Sequence, residues 1–290
     1  MDSDFNAAIG AATAQAAAME ERDAPRYSHR NAAEIAEMEL PPQETTFGGI
    51  ELSDGYLAEI IGPPGIGKTR LAAWIAICQI LQTPFPNADY FGNCTRPLKW
   101  QFFGTENSIR RWQHDLRKMW PTFSQDERDL LRAYLDLPTL EAADDAYMRL
   151  DDDGNVAKLE RTLRDFNPNI AVIDPWGDLC ADELKDEVQR DTVRTIKRIV
   201  RAGENPDVPA IILNHSRMGA KCYASAKTDA GNYGRNSKAI YGQCRTVLNL
   251  RPASTDMEQF GREIEILDVK HNDRAGFTPV AVRLDPATMT

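Results

Sequence analysis

A short glycine-rich segment combines residue types whose spacing is typical of a loop that holds phosphate groups. Residues 62–69 read GPPGIGKT and fit the pattern GxxxxGK[ST], with an apolar run before them and an amphipathic one after them. The glycines allow backbone conformations that a Cβ would block, and the loop N–H groups point inward as an anion nest. We expect Lys68 to reach the β- and γ-phosphates of ATP and Thr69 to give its hydroxyl to Mg²⁺. The predicted nucleotide-binding residues of this segment are Gly62, Pro63, Pro64, Gly65, Ile66, Gly67, Lys68, Thr69 and Arg70.

Two carboxylates that follow apolar runs could complete this chemistry. Asp174 ends the run NIAVID and is expected to hold Mg²⁺ together with Thr69. Glu106 follows the run WQFFGT and is expected to orient or deprotonate an attacking water, the alternative being an acid stabilised at a helix N-terminus. Asp178 is a weaker second acid, the alternative being a residue that caps the next segment. The two runs therefore predict a metal ligand and a general base.

The elements that must position these residues alternate between strands and helices. Strands are predicted at 56–61, 98–104, 169–173, 209–213, 246–250, 263–269 and 280–284. Helices are predicted at 68–81, 107–119, 125–134, 156–166 and 186–202. This alternation predicts an α/β fold with a mostly parallel, twisted sheet and helices on both of its faces. Because the carboxyl ends of parallel strands line the ligand crevice, Glu106 and Asp174 are expected at the same edge as the glycine-rich loop.

The order of these motifs resembles that of RecA-fold ATPases of the RepA-type group, which are relatives of the DnaB-like replicative helicases. From about residue 47 to the C-terminus the chain contains, in turn, GPPGIGKT, FFGTENSIRR, NIAVIDPWGDL, IILNHSRMG, SKAIYGQCRTVLNL and VKHNDRAG. The resemblance implies a RecA-like P-loop core in which Glu106 is the catalytic base and His215 senses the γ-phosphate. It also implies a homo-oligomeric ring, expected to be a hexamer, in which an arginine of one subunit completes the site of the next.

The cation that would act in trans is not singled out by the sequence. A planar guanidinium matches a pair of phosphate oxygens, so Arg245 and Arg274 are apt candidates, and Lys270 is a third. DnaB-like proteins have a lysine and an arginine two residues apart, whereas Lys270 and Arg274 are four apart with Asn272 between them. This departure leaves open which of the three cations acts in trans on the neighbouring site.

Residues 217–245 form a local basic patch in an otherwise acidic chain. In a flexible loop, cations can follow the phosphates of single-stranded DNA while tyrosine rings stack on its bases. The alternative is a solvated surface loop. The segment also contains Lys238, Tyr223, Tyr233 and Tyr241. The residues predicted to contact nucleic acid are Arg217, Lys221, Lys227 and Arg235.

The composition of the chain argues against several other classes of protein. The net charge of -10 argues against a protein that coats nucleic acid over its whole surface. Five cysteines without CxxC spacing favour free thiols in a reducing cytoplasm over a disulfide framework or a zinc site. No apolar run reaches the ~18 residues of a membrane span, so no membrane partner is expected.

Two regions are predicted in the 290-residue chain. Residues 1–46 form an Ala-rich extension with a helix at about 5–21, which is either a frayed tail or an arm that docks on a neighbouring subunit. Residues 47–290 form the RecA-like ATPase domain. The expected function is an ATP-hydrolysing ring motor on single-stranded DNA, of the plasmid- or phage-type helicase kind, with replication or recombination proteins as partners. The alternative is a regulatory, adaptor or recombination-type ATPase that uses ATP to switch assembly without unwinding DNA.

Overall fold

The structure is a computed structural model that divides the chain into two units, Met1–Pro42 and Gln43–Thr290. The helix predicted at 5–21 lies outside the described residues, and the division predicted after residue 46 stays a prediction. The described residues are 30–40, 42–53, 55–85, 92–106, 108–138, 148–205, 207–216, 233–234, 238–253, 263–272, 278–283 and 285.

The first unit contains helix α1 (Ala32–Glu37), which begins with a reciprocal cap. The Asn31 side chain accepts a hydrogen bond from the Glu34 backbone N–H at 2.9 Å, and the Glu34 carboxylate accepts one from the Asn31 N–H at 3.0 Å. None of the six residues in this helix is buried. Local capping, rather than a core of its own, therefore stabilises α1.

The second unit alternates strands and helices, as the sequence predicts. Its strands are β1 (Thr45–Thr46), β2 (Ile50–Glu51), β3 (Leu57–Gly62), β4 (Trp100–Gly104), β5 (Leu135–Asp136), β6 (Ile170–Asp174), β7 (Ala210–His215), β8 (Thr246–Pro252), β9 (Glu263–His271) and β10 (Val280–Arg283). Its α-helices are α2 (Lys68–Leu81), α3 (Ile109–Met119), α4 (Gln125–Tyr134), α5 (Asp153–Phe166), α6 (Trp176–Leu179), α7 (Asp186–Ile199) and α8 (Lys238–Gln243). The two-residue strands and the short helix α6 are too brief for a periodicity argument to find.

The main sheet has the strand order β10-β9-β8-β3-β7-β6-β4-β5 in the described residues. The six strands from β8 to β5 are mutually parallel, whereas β9 is antiparallel to both β8 and β10. The prediction of a mostly parallel sheet is confirmed. The antiparallel end follows from the short connection between β8 and β9, because a parallel crossover needs a dozen or more residues.

Helices cover both faces of this sheet. Helices α2, α3 and α4 pack into the apolar core on one face, and α5, α7 and α8 pack into a second core on the other. Strands that are covered on both sides read as continuous apolar runs, as the fully buried segment Ile170–Asp174 does. No helix among the described residues is both long and apolar enough to cross a membrane.

The prediction of a flexible loop over 217–245 is wrong for its described part. Helix α8 lies in this segment and buries Ala239 and Ile240. Tyr233 is fully buried, and its hydroxyl donates to the Leu250 carbonyl at 2.5 Å. Apolar burial outweighs the loop signal of the surrounding small and charged residues. The Tyr233 ring is therefore part of the core, where it cannot stack on a base.

Candidate nucleotide-binding site

Four parallel strands end at one edge of the sheet, next to the predicted site residues. Gly62 at the end of β3 is in register with His215 at the end of β7, and Gly104 of β4 is in register with Asp174 of β6. Open α/β sheets bind ligands in the crevice beyond such carboxyl ends. The strand order thus brings the glycine-rich loop together with Asp174, His215 and Glu106, which lies two residues beyond β4.

The glycine-rich loop owes its path to backbone conformations that only glycine adopts readily. Gly65 and Gly67 have φ of 76° and 95°, in the left-handed region. A Cβ at Gly62 would lie 3.0 Å from the Ile66 side chain, which is itself buried and anchors the loop in the core. Helix α2 begins at Lys68, so the N–H groups at the start of the helix lie at the same crevice.

Lys68, His215 and Glu106 form a hydrogen-bonded chain across the crevice. The Lys68 ammonium lies 3.0 Å from His215 Nδ1, and His215 Nε2 lies 3.1 Å from Glu106 Oε1. An ammonium can only donate, so Nδ1 accepts, and the ring proton is on Nε2, which donates to the carboxylate. Lys68 also donates to the carbonyls of Gly62 at 3.1 Å and Pro63 at 3.3 Å. These contacts define the histidine tautomer and hold Glu106 beside the loop.

Burial and hydrogen bonding shift the pKa values of two of these side chains, Lys68 and Glu106. Burial lowers the pKa of Lys68 to about 8, although the carboxylates of Asp174 and Glu106 oppose the shift. The hydrogen bond from His215 lowers the pKa of Glu106, which is about half exposed. Glu106 is therefore ionised at neutral pH and able to accept a proton.

Thr69 and Asp174 bring two oxygen ligands together at the start of α2. The Thr69 hydroxyl donates to Asp174 Oδ2 at 2.5 Å. Burial raises the pKa of Asp174 to about 6, against the effect of the Thr69 hydrogen bond. No group of three or more His, Cys, Asp or Glu side chains that could hold a metal ion by itself is present among the described residues. A hydroxyl and a carboxylate still fit Mg²⁺, because that ion prefers oxygen and takes many of its ligands from phosphates and water.

The outer wall of the site comes from helix α3 and was not found from the sequence. Asp115 is 4% exposed; it accepts a hydrogen bond from Arg70 Nε at 2.9 Å and forms an ion pair with Arg111 Nε at 3.2 Å. These residues line a cavity of about 370 Å³ together with Trp112, the glycine-rich loop, Glu106 and His215. The i,i+4 spacing of Arg111 and Asp115 was the available signal, and it reads equally as a surface helix pair.

Asp178 lies beside the site without entering the chain of Lys68, His215 and Glu106. Its carboxylate accepts a hydrogen bond from the Thr105 hydroxyl, and it lies in the first turn of α6. This contact ties α6 to the segment that carries Glu106. Asp178 is thus in a position to hold the Thr105–Glu106 segment in place.

Arg245 lies at the opposite edge of the sheet from the glycine-rich loop. Its backbone N–H donates to the carbonyl of Leu57 at the start of β3, and its exposed guanidinium lies 6.0 Å from the centre of the Tyr56 ring. Strand β3 separates Leu57 from Gly62 by about 17 Å, at about 3.3 Å per residue. Arg245 therefore cannot reach the phosphate site of its own subunit.

Lys270 lies near Arg245 but is directed into its own subunit. Its ammonium donates to the Tyr241 carbonyl at 2.7 Å and lies 4.8 Å from the centre of the Tyr241 ring. Partial burial lowers its pKa. The remaining predicted cations lie outside the described residues; they are Arg217, Lys221, Lys227, Arg235 and Arg274.

Comparison with models of protein families shows which family the chain belongs to. A family model described as an AAA domain, AAA_25, matches residues 21–221, more than half of the sequence. The chain belongs to this family of AAA domains. None of the curated proteins compared with it gives a match.

Solved structures support the same fold at low sequence identity. The RadB recombinase is 15% identical with a TM-score of 0.52, over 81% of this chain and 90% of that one. A KaiC-like protein from the archaeon Pyrococcus horikoshii is 13% identical with a TM-score of 0.54, over 86% and 98%. A DnaB-like replicative helicase is 14% identical with a TM-score of 0.54, over 82% and 57%. This AAA-domain chain therefore has the RecA-like fold of a P-loop ATPase.

Proposed function

We propose that this chain hydrolyses ATP in a ring of identical subunits and uses the energy to act on single-stranded DNA. The observation that carries the proposal is the series of hydrogen bonds that links Lys68, His215 and Glu106. It lies beside the Thr69–Asp174 pair at the carboxyl edge of the sheet. It joins a phosphate-binding cation, a polar sensor and an ionised carboxylate at one crevice. That set suits the attack of water on a terminal phosphate.

Each residue has a role that follows from its position. Lys68 and the loop N–H groups neutralise charge on the β- and γ-phosphates. Glu106 accepts a proton from the attacking water, and His215 holds that carboxylate by its Nε2 proton. Thr69 and Asp174 would hold Mg²⁺, whose chemistry here is to neutralise charge on the β- and γ-phosphate oxygens. Arg70, paired with Asp115, closes the outer wall of the cavity.

The position of Arg245 supports completion of the site by a neighbouring subunit. A head-to-tail contact would place the amino edge of one sheet against the carboxyl edge of the next, and such heterologous contacts form a ring when the rotation between subunits closes. Arg245 is exposed at the amino edge, whereas the ammonium of nearby Lys270 is directed inward. We assign Arg245 as the residue that acts in trans. The subunit number expected from the family resemblance is six.

Single-stranded DNA is the substrate that the relatives and the basic segment favour. The structural neighbours include a DnaB-like replicative helicase and the RadB recombinase. The cations Arg217, Lys221, Lys227 and Arg235 follow β7 in the sequence, and the last residue of β7 is His215 at the phosphate site. We expect a segment that begins next to His215 to pass a change at the γ-phosphate on to bound DNA.

A recombination-type ATPase is the second candidate. The likeness to RadB extends over 90% of that protein, against 57% of the DnaB-like helicase chain. The deciding experiment is unwinding of a forked duplex in the presence of ATP, with Lys68→Ala as the inactive control. Unwinding supports the helicase function. ATP turnover stimulated by single-stranded DNA, without unwinding, supports the recombination-type ATPase and contradicts the helicase.

A further inference from the structure

A second cavity, distinct from the nucleotide site, is lined almost entirely by cations. It has a volume of about 570 Å³ and lies between helices α5 and α7. We call it the basic groove and define it by Glu160, Arg164, Arg194, Lys197, Arg198 and Arg201. Five positive groups and one acid line it, in a chain whose net charge is -10. Such a concentration of one sign of charge focuses the local field on an anionic ligand.

Internal ion pairs compensate only part of this charge. Arg194 pairs with Asp191 at 2.8 Å, and Arg198 lies 3.9 Å from Glu160. Within the described segments, Arg164 and Lys197 have no acidic partner. Exposed ion pairs of this kind contribute little to stability, so they do not prevent the arginines from binding another anion.

Helix stability explains some of these cations but not their arrangement. Arg164, Lys197 and Arg198 lie in the last turns of α5 and α7, where basic residues favour the helix dipole. That effect needs no more than one cation at each helix end. Here cations from two helices converge on one cavity, and the row continues beyond α7 to Arg201. The helix-dipole effect therefore does not account for the convergence.

The geometry of the groove favours an extended polyanion over a small one. Arg194, Lys197 and Arg198 follow one another along α7 with axial rises of about 4.5 and 1.5 Å, and Arg201 extends this row beyond the last residue of the helix. Both helices present their C-termini at this end of the groove, so no helix dipole supports a compact phosphate. Four of the five cations are arginines, which bind phosphate oxygens in pairs. No aromatic side chain lines the groove in the described part of the chain.

We propose that the basic groove binds the phosphodiester backbone of a nucleic acid without reading its bases. Cations in a row match a row of phosphates, whereas base recognition and stacking need aromatic rings or groups that reach base edges. The groove shares no residue with the nucleotide cavity. Arg201 lies over Gly55, just before β3, which places that end of the groove at the amino edge of the sheet. Binding there is expected to need neither ATP nor the cations of residues 217–235.

A pair of matched double variants tests the proposal. Arg164→Gln with Arg198→Gln removes one groove arginine from each helix. Arg161→Gln with Arg190→Gln removes one exposed arginine from each of the same helices outside the groove. Affinity for a labelled oligothymidylate and for a labelled mixed-sequence duplex is measured over a KCl series without ATP. Loss of two phosphate contacts should flatten the plot of log affinity against log salt by about 1.8 for the duplex and about 1.4 for the single strand. At ~100 mM salt this corresponds to a loss of affinity of at least about 10-fold.

The groove pair should show this change with both probes, and the control pair should keep the wild-type slope. Arg164→Lys with Arg198→Lys should keep the slope as well, because it keeps the charges. An unchanged slope in the groove pair, an equal change in the control pair, or no nucleic-acid binding by the wild type would overturn the proposal. A change in oligomeric mass without a change in slope would also overturn it, since the groove would then seat another copy. ATP turnover in the same preparations tests the proposed function separately.

Discussion

Glu59 is a carboxyl group buried inside the sheet, and its titration should make the stability of the protein depend on pH. It lies in the middle of β3 with no exposed surface, and its Oε1 accepts a hydrogen bond from the Asn214 side chain at 2.8 Å. Its Oε2 is buried without a hydrogen-bond partner among the described residues. Burial raises the pKa of Glu59 to about 7, against the opposing effects of Asn214 and the Lys270 charge.

The sign of the effect follows from which state holds the proton. Between pH 4.5, the ordinary pKa of a solvated glutamate, and about pH 7, the folded chain keeps this proton while the unfolded chain releases it. The free energy of unfolding therefore falls as the pH rises through this window. At about 1.4 kcal/mol per pKa unit, the whole window corresponds to about 3 kcal/mol, of which about 2.5 kcal/mol lies between pH 5 and pH 8.

Urea unfolding of the wild type and of Glu59→Gln at pH 5 and pH 8, followed by tryptophan fluorescence, measures this difference. Glutamine keeps an oxygen that can accept from Asn214 and stays neutral at every pH. The wild type should lose about 2.5 kcal/mol more stability than the variant between the two pH values. Burial also raises the pKa of Asp174, but both proteins share that contribution, so it cancels in the comparison. Parallel pH dependences would refute a protonated Glu59 in the fold.

Four further outcomes follow from the proposed site. Lys68→Ala should abolish ATP hydrolysis and weaken ATP binding, as measured by turnover and by titration with labelled ATP, because a charge-assisted phosphate contact is lost. Glu106→Gln should bind ATP normally but turn over at least ~100-fold more slowly in a single-turnover assay, because it lacks the general base. Arg245→Ala and Lys68→Ala chains, each inactive alone, should regain ATPase activity when mixed, since some interfaces then combine an intact loop with an intact arginine. Lys221→Ala with Lys227→Ala should weaken single-stranded DNA binding and flatten its salt slope, while basal ATPase activity survives.

Each of these expectations has a result that contradicts it. Near-normal turnover by Lys68→Ala would remove the phosphate-binding role of the loop. Wild-type turnover by Glu106→Gln would leave Glu106 as a helix-terminus acid and make Asp178 the next candidate base. Failure of every mixing ratio, with subunit exchange demonstrated, would exclude action of Arg245 in trans. Unchanged DNA affinity at low and high salt would make the segment around Lys221 plain surface.

Much of the fold is predictable because its signals are local. The run before Gly62, the glycines and the helix from Lys68 are contiguous, and each constrains the backbone of its neighbours. The buried strands β6 and β7 are likewise apparent as apolar runs, since both of their faces are covered. The elements that the sequence analysis did not predict have weak local signals. Strand β5 has two residues, and α8 lies within a segment whose charges and small residues favour a loop.

The sequence by itself therefore determined the phosphate-binding loop, the α/β class and the candidate carboxylates. Only the tertiary structure decided which side chains meet. His215 reaches Lys68 across 147 residues because β7 pairs with β3, and Arg245 lies at the far edge because β8 begins beside the start of that strand. The burial of Asp115 between two arginines, the inward direction of Lys270 and the basic groove depend in the same way on which helices pack together. Strand order and helix packing are set by the burial of apolar surface over the whole domain, and no local pattern records that outcome.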